Sequence, residues 1–354
     1  MVNSHGGDLN WAKTQYAGEI LDFSVNCNPL GTPPAAVEAA RAALSDTGCY
    51  PDPACTELRA AIARMDGTTP DRVFCGSGAA EVIFRLALSL HPRTALLTAP
   101  AFSEYETALT RVGCACRFHP LWEAEQFDVT DRILADLTED VELLFLCTPN
   151  NPTGRCIEPD LLARILEQCE AVGAYLIVDE CFLPLARSGP GMAPLLPEHP
   201  KLILLRAFTK SYAVPTLRLG YCLADPALIA RLETWGPCWN VSGPAQAAGL
   251  ACCDLPQWPE QGRALLETAR PSLQRGLTAL GCQVVSGEAN YLLFRLPGVT
   301  DLKARMLGRG ILLRSCANYR GLGPDWYRVC VGGREQNGRL LAALKEALSW
   351  QRRS

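Results

Sequence analysis

The sequence predicts an α/β fold: a mainly parallel central sheet with helices on both faces, followed by a smaller α+β domain. Three observations predict it. From about residue 72 to residue 205, short and nearly continuous apolar runs alternate with amphipathic helical segments, as strands buried on both faces do. The polar motifs of this region fall just after those runs, where open α/β sheets place their ligands. From about residue 244 the alternation gives way to a long helical stretch and then to short mixed elements.

In order along the chain, residues 1–34 read as irregular and rich in Gly, Pro and Asn. Helices are expected over 34–44, opened by Pro34, and over 56–65, with Thr56 as its cap. Then come a strand over 72–75, a helix over 80–90, a strand over 94–98 and a helix over 102–112. A strand over 141–147, a helix over 159–171 and strands over 175–179 and 202–205 complete the alternation. Beyond it lie a helical stretch over 248–280, strands over 283–285 and 291–294, and a helix over 302–308. Strands over 311–313 and 327–331 and a helix over 335–348 close the chain. A single core stops growing near roughly 250–300 residues, and this chain has 354. The expected division is an N-terminal arm over 1–34 packing with the small domain, a large domain over 35–243 and a small C-terminal domain over 244–354.

The net charge is -4, the pI is about 5.7, and no block of like charges occurs. Nucleic acid and membrane are therefore not expected as partners. No apolar run nears the roughly 18 residues of a spanning helix, and the N-terminus does not read as a signal peptide. A soluble, cytoplasmic protein is expected. There are 17 cysteines, without any CxxC pair; Cys114, Cys116, Cys252 and Cys253 form the only close spacings. They read as small buried hydrophobes, with no metal site.

Four motifs sit at expected strand ends. Gly76-Ser77-Gly78-Ala79-Ala80-Glu81 opens a helix, where backbone N–H groups and the helix dipole favour an anion. Alone it serves as well for a tight turn. Thr148-Pro149-Asn150-Asn151-Pro152-Thr153-Gly154 is a polar loop, and Val178-Asp179-Glu180 puts a carboxylate at a strand end. Arg206-Ala207-Phe208-Thr209-Lys210 follows an apolar strand, and Arg218 comes eight residues later.

In their order and joint placement these motifs resemble the pyridoxal 5'-phosphate (PLP) enzymes of the aspartate-aminotransferase superfamily, fold type I, over nearly the whole chain. The resemblance implies that Lys210 carries PLP as a Schiff base and that Asp179 pairs with the ring nitrogen. It implies that Asn151 donates to the ring's 3'-oxygen and that Phe102 stacks on the ring. By the same resemblance, Arg218, Thr209 and the backbone at Gly78, Ala79 and Ala80 are expected to hold the cofactor phosphate, and Tyr50 to reach the phosphate of a neighbouring subunit's cofactor, which implies a homodimer. Arg328 matches the arginine that grips the substrate carboxylate. Two positions depart from the pattern: Phe182 replaces a tyrosine that bonds the 3'-oxygen, and Ala207 replaces a phosphate-binding hydroxyl residue.

The finer resemblance is to the threonine-phosphate decarboxylases, which make aminopropanol phosphate for cobamides. It rests on His5-Gly6-Gly7, on the run from Leu21 through Asn28 to Gly31, on the Asn151 loop, and on Leu313-Arg314-Ser315-Cys316-Ala317-Asn318-Tyr319. It implies a phosphorylated amino-acid substrate whose phosphate meets Arg314, with Tyr50 and Asn28 as further candidates and His5 entering from the arm. Histidinol-phosphate aminotransferases are the alternative, and a non-catalytic relative that keeps the fold is a third reading.

Overall fold

The computed structural model describes residues 6–187, 189 and 191–349. Its central sheet has seven strands in the order Val73–Gly76, Gly220–Leu223, Leu202–Ala207, Tyr175–Asp179, Leu143–Cys147, Thr94–Ala99, Ala115–Pro120. Only Gly220–Leu223 runs antiparallel to its neighbours. The sheet is mainly parallel, as expected.

Strand geometry sends successive side chains to opposite faces. Leu144, Leu146, Leu176, Val178, Leu202 and Leu204 enter the core on one face, and Phe145, Ile177, Ile203 and Leu205 that on the other. All five residues of Leu143–Cys147 are buried, which is why this strand reads as a continuous apolar run.

A second sheet, in the order Arg314–Ser315, Trp326–Cys330, Tyr291–Arg295, Gln283–Val284, is antiparallel. Leu21–Asp22 pairs in parallel with Ile311–Leu312. Phe23 N then donates to Leu312 O at 2.8 Å, and Cys330 N to Phe23 O at 2.9 Å. The early chain is thereby stitched to the segment that carries Arg314 and Arg328.

Several elements differ from expectation. The stretch over 248–280 is two helices, Gly243–Cys253 and Gln257–Ala279. Ser242 caps the first, and Pro256, which has no N–H to continue a helical ladder, stands at the break. The first helix shares Ala245, Ala248 and Cys252 with the core of the central sheet. Leu9–Gln15 is a helix inside a region read as irregular, started by Asp8 accepting from Trp11 N at 3.0 Å. The edge strand Ala115–Pro120 gave no apolar run, because its exposed residues include Arg117, which pairs with Asp140 outside the strand.

All 17 cysteines are unpaired, and most are buried. No group of three or more metal-ligating residues occurs among the described residues. No helix among them is long and apolar enough to cross a membrane.

Candidate active site

Asp179 ends the Tyr175–Asp179 strand and faces a cavity of about 210 Å³. Its Oδ1 accepts from Cys181 N at 2.9 Å and its Oδ2 from the Tyr105 hydroxyl at 2.5 Å. Burial pushes the carboxyl up; the hydrogen bonds from Cys181 and Tyr105 and the charge of Lys210 oppose this. Glu180, one residue on, points the other way. It pairs with Arg206 at 2.6 Å and accepts from Met192 N at 2.9 Å. A larger cavity of about 450 Å³ lies on that side and shares Cys181 and Ala207 with the first. The chemistry-bearing groups converge on the smaller one.

Lys210 sits in the short helix Phe208–Ser211, just past the Leu202–Ala207 strand. Part of its surface is open, but it opens onto the cavity rather than bulk water. Burial is the largest influence and holds the ammonium below its ordinary pKa; the Cys27 thiol opposes this and the Arg328 charge adds to it. Nζ lies 5.7 Å from the centre of the Phe182 ring. The result is an amine more easily made nucleophilic than a surface lysine.

The strand Val73–Gly76 leads into the helix Ala79–Leu90, whose start has no side-chain cap. Its first N–H groups are therefore available to an anion. Gly78 sits at φ 81°, which an L side chain rarely adopts, and a Cβ there would also push on the Arg218 guanidinium, 2.5 Å away at Nη2. Ala79, Ala80, Thr209 and Arg218 all line the cavity. Arg218 is held in a left-handed conformation (φ 56°) and donates to Pro215 O at 3.3 Å. Thr209 Oγ1 is 3.3 Å from Leu219 O.

The loop after Leu143–Cys147 is a built structure. Asn150 Nδ2 donates to Pro100 O and to Thr153 Oγ1, both at 3.0 Å. This presents Asn151 to the cavity, where its Oδ1 accepts from Arg328 Nη1 and from the Tyr319 hydroxyl at 3.2 Å. Arg328 Nη2 donates to Ser24 O at 3.0 Å. With its amide oxygen turned toward Arg328, Asn26 accepts from Nε at 3.3 Å and from Nη1 at 3.1 Å. Arg314 lines the same cavity and donates to Asn318 Oδ1 at 2.8 Å.

Phe102 also lines the cavity, edge-on to Tyr105 with centroids 5.6 Å apart. Two of the described candidates are not brought in. Asn28 is buried elsewhere: its amide donates to Ser211 O at 2.8 Å and its oxygen accepts from Leu30 N at 3.0 Å, so it ties the chain down. Tyr50 is 79% exposed and packs with its ring tilted against Trp239, outside this chain's own cavity lining. His5 lies outside the described residues, although Gly6 reaches the cavity. Gly6 packs so tightly that a Cβ would lie 2.3 Å from Ser24 O.

Sequence reasoning gave no role to Tyr105, Tyr319 or Asn26. Tyr105 stands one helical turn beyond Phe102, and Tyr319 and Asn26 lie inside segments already singled out. Position alone did not say which partners they would meet.

These residues fit PLP. The buried Asp179 carboxylate, with no ion pair among the described residues, suits a protonated ring nitrogen. A lysine with a depressed pKa suits the aldehyde, and an uncapped helix start beside a guanidinium suits the phosphate. The sequence pattern of the aminotransferase class I and II family matches residues 18–344. The chain belongs to this family. One member of the aminotransferase family, the threonine-phosphate decarboxylase of Salmonella typhimurium, is 39% identical over 98% of this chain and 97% of its own. A histidinol-phosphate aminotransferase of Methanothermobacter thermautotrophicus is 33% identical over 93% of this chain and 89% of its own. Among solved aminotransferase-family structures, the histidinol-phosphate aminotransferase from Clostridium acetobutylicum superposes with a TM-score of 0.86 at 26% identity, covering 93% of this chain and 99% of that one.

Proposed function

We propose that the chain decarboxylates L-threonine O-3-phosphate to (R)-1-amino-2-propanol O-2-phosphate, with PLP as its cofactor, as a step in cobamide assembly. The observation that carries this is the charge balance of the cavity. Arg314 and Arg328 are both nearly buried, at 7% and 6% exposure, and neither pairs with a carboxylate among the described residues. A buried guanidinium held only by neutral acceptors has charge left for a ligand. Two such groups suit a substrate with both a phosphate and a carboxylate. The 39% identity to a threonine-phosphate decarboxylase favours the same reading.

Bound in this cavity, PLP supplies an electron sink for the charge left at Cα when a bond to that carbon breaks. The chain's own groups do the rest. Lys210 holds the cofactor and is placed to return a proton to Cα. Asp179 keeps the ring nitrogen protonated, and Tyr105 and Cys181 hold Asp179 in place. Asn151 donates to the ring's 3'-oxygen, and Phe102 covers the ring. The N–H groups at Ala79 and Ala80, with Thr209 and Arg218, hold the cofactor phosphate. Arg314 anchors the substrate phosphate and Arg328 the carboxylate, so the two together set which bond to Cα is exposed for cleavage.

The same reading includes a cytoplasmic homodimer, in which the exposed Tyr50, packed against Trp239 at 4.6 Å, reaches the partner's site. It also takes residues 35–243 as the large cofactor-holding domain and 1–34 as an arm packing with the small domain of 244–354, although the helix Gly243–Cys253 packs into the core of the central sheet.

The test is to incubate the PLP-loaded protein with L-threonine O-3-phosphate and follow CO2 release and the cofactor spectrum. CO2 release with an unchanged cofactor form is the expected result. No CO2, with the pyridoxamine form accumulating once an amino donor is supplied, would favour the aminotransferase reading that the 33% identical relative suggests.

A further inference from the structure

We propose that Tyr319 is a positioning residue: it fixes the Asn151 amide for the cofactor's 3'-oxygen and couples that contact to Arg314, the arginine assigned to the substrate phosphate. This rests on the functional reading above and deepens it.

The orientation of Asn151 follows from its neighbours. A guanidinium only donates, so the Asn151 atom facing Arg328 Nη1 must be the oxygen. The Tyr319 hydroxyl donates to that same oxygen at 3.2 Å. Two donors on Oδ1 leave Nδ2 as the outward end of the amide. Among the described residues Nδ2 has no protein partner, while Asn151 lines the cavity.

This matters because Phe182 offers no hydroxyl. It packs edge-on against Tyr291, with centroids 5.0 Å apart, and supplies no donor to the cavity. The amide must serve alone, and one of its two anchors, Arg328, is the group expected to turn toward the substrate carboxylate. Tyr319 is the anchor that remains. Burial pushes its phenol up, against the charges of Arg328 and Arg314, so it stays a donor near neutral pH.

Tyr319 also touches the other end of the site. Arg314 lies over its ring at 5.5 Å, and Asn318, the preceding residue, holds Arg314 Nη2 at 2.8 Å. An anion that draws Arg314 into a new position therefore acts on the ring whose hydroxyl holds Asn151.

The experiment is a spectrophotometric pH titration of the PLP-loaded wild type and of Tyr319→Phe, each with and without inorganic phosphate as the probe for Arg314. A donor to the 3'-oxygen stabilises its ionised form and lowers the chromophore's pKa. Misaligning Asn151 should raise that pKa by about 0.5 or more. Phosphate should shift it in the wild type and not in the variant. A second variant, Phe182→Tyr in the Tyr319→Phe background, should recover the pKa but not the response to phosphate. A Tyr319→Phe titration identical to wild type, with the same phosphate response, overturns the inference alone. A wild type that acquires no cofactor chromophore sinks the functional reading and this inference with it.

Discussion

The Tyr105 hydroxyl donates to Asp179 Oδ2 at 2.5 Å, with both side chains buried and the Tyr105 ring stacked on Phe145 at 3.9 Å. This fixes the carboxylate at the end of its strand and favours its ionised form. Tyr105→Phe should lower kcat about tenfold, the effect of losing one hydrogen bond to a charged group. The kcat–pH profile should lose activity at a higher pH on its acid side, because the carboxyl pKa rises. A merely structural role would leave that limb in place.

Lys210 has a depressed folded-state pKa. Its contribution to apoprotein stability is present above the ordinary value of 10.5 and is lost as pH falls through the depressed value. The amine is free over the same range. Covalent capture of PLP by the apoprotein, trapped with borohydride, should rise with pH about a midpoint below 10.5. Lys210→Ala should trap none.

In the proposed reading, Arg314 takes the substrate phosphate and Arg328 the carboxylate, and both line the cavity. Arg314→Leu should reduce kcat/KM for L-threonine O-3-phosphate by about 10²- to 10³-fold, since a charge-assisted contact in a buried site is lost. Turnover of unphosphorylated L-threonine, low to begin with, should change little. Steady-state kinetics on the two substrates tests this.

Glu180 is buried with Arg206, whose other side meets Asp66 at 2.8 Å. Removing one charge leaves the guanidinium undercompensated. Glu180→Gln should cost about 3 kcal/mol of stability, measured by urea denaturation. The activity of the fraction that stays folded should be nearly normal.

Gly220 backs the helix start at Ala79 that the proposed reading gives to the cofactor phosphate. A Cβ there would lie 2.4 Å from Ala79 N and 2.8 Å from Gly78 C, both backbone atoms. Gly220→Ala must push the helix start aside and should weaken PLP binding at least tenfold, read as the Kd of the apoprotein for PLP.

The sheet was legible because strands buried on both faces leave unbroken apolar runs such as Leu143–Cys147. Ala115–Pro120, an edge strand with Arg117 in it, carries no such run. Lys210, Asp179, Asn151, Arg314 and Arg328 were legible as polar residues in motifs, most of them at strand ends, and the structure brings all five to one cavity. Asn28 belonged to an equally suggestive segment but spends its amide on main-chain groups. Tyr105 and Tyr319 acquire their roles only through partners distant in sequence, which no local pattern announces.

The pairing of Leu21–Asp22 with Ile311–Leu312, and of Ser24 O with Arg328, joins stretches that leave the ribosome about three hundred residues apart. Lys210 and the central sheet can form well before that junction exists. A nascent or truncated chain that has made its sheet therefore has Lys210 and the uncapped helix start at Ala79, but neither Arg314 nor Arg328. Such a chain could take up cofactor without yet being able to select a substrate.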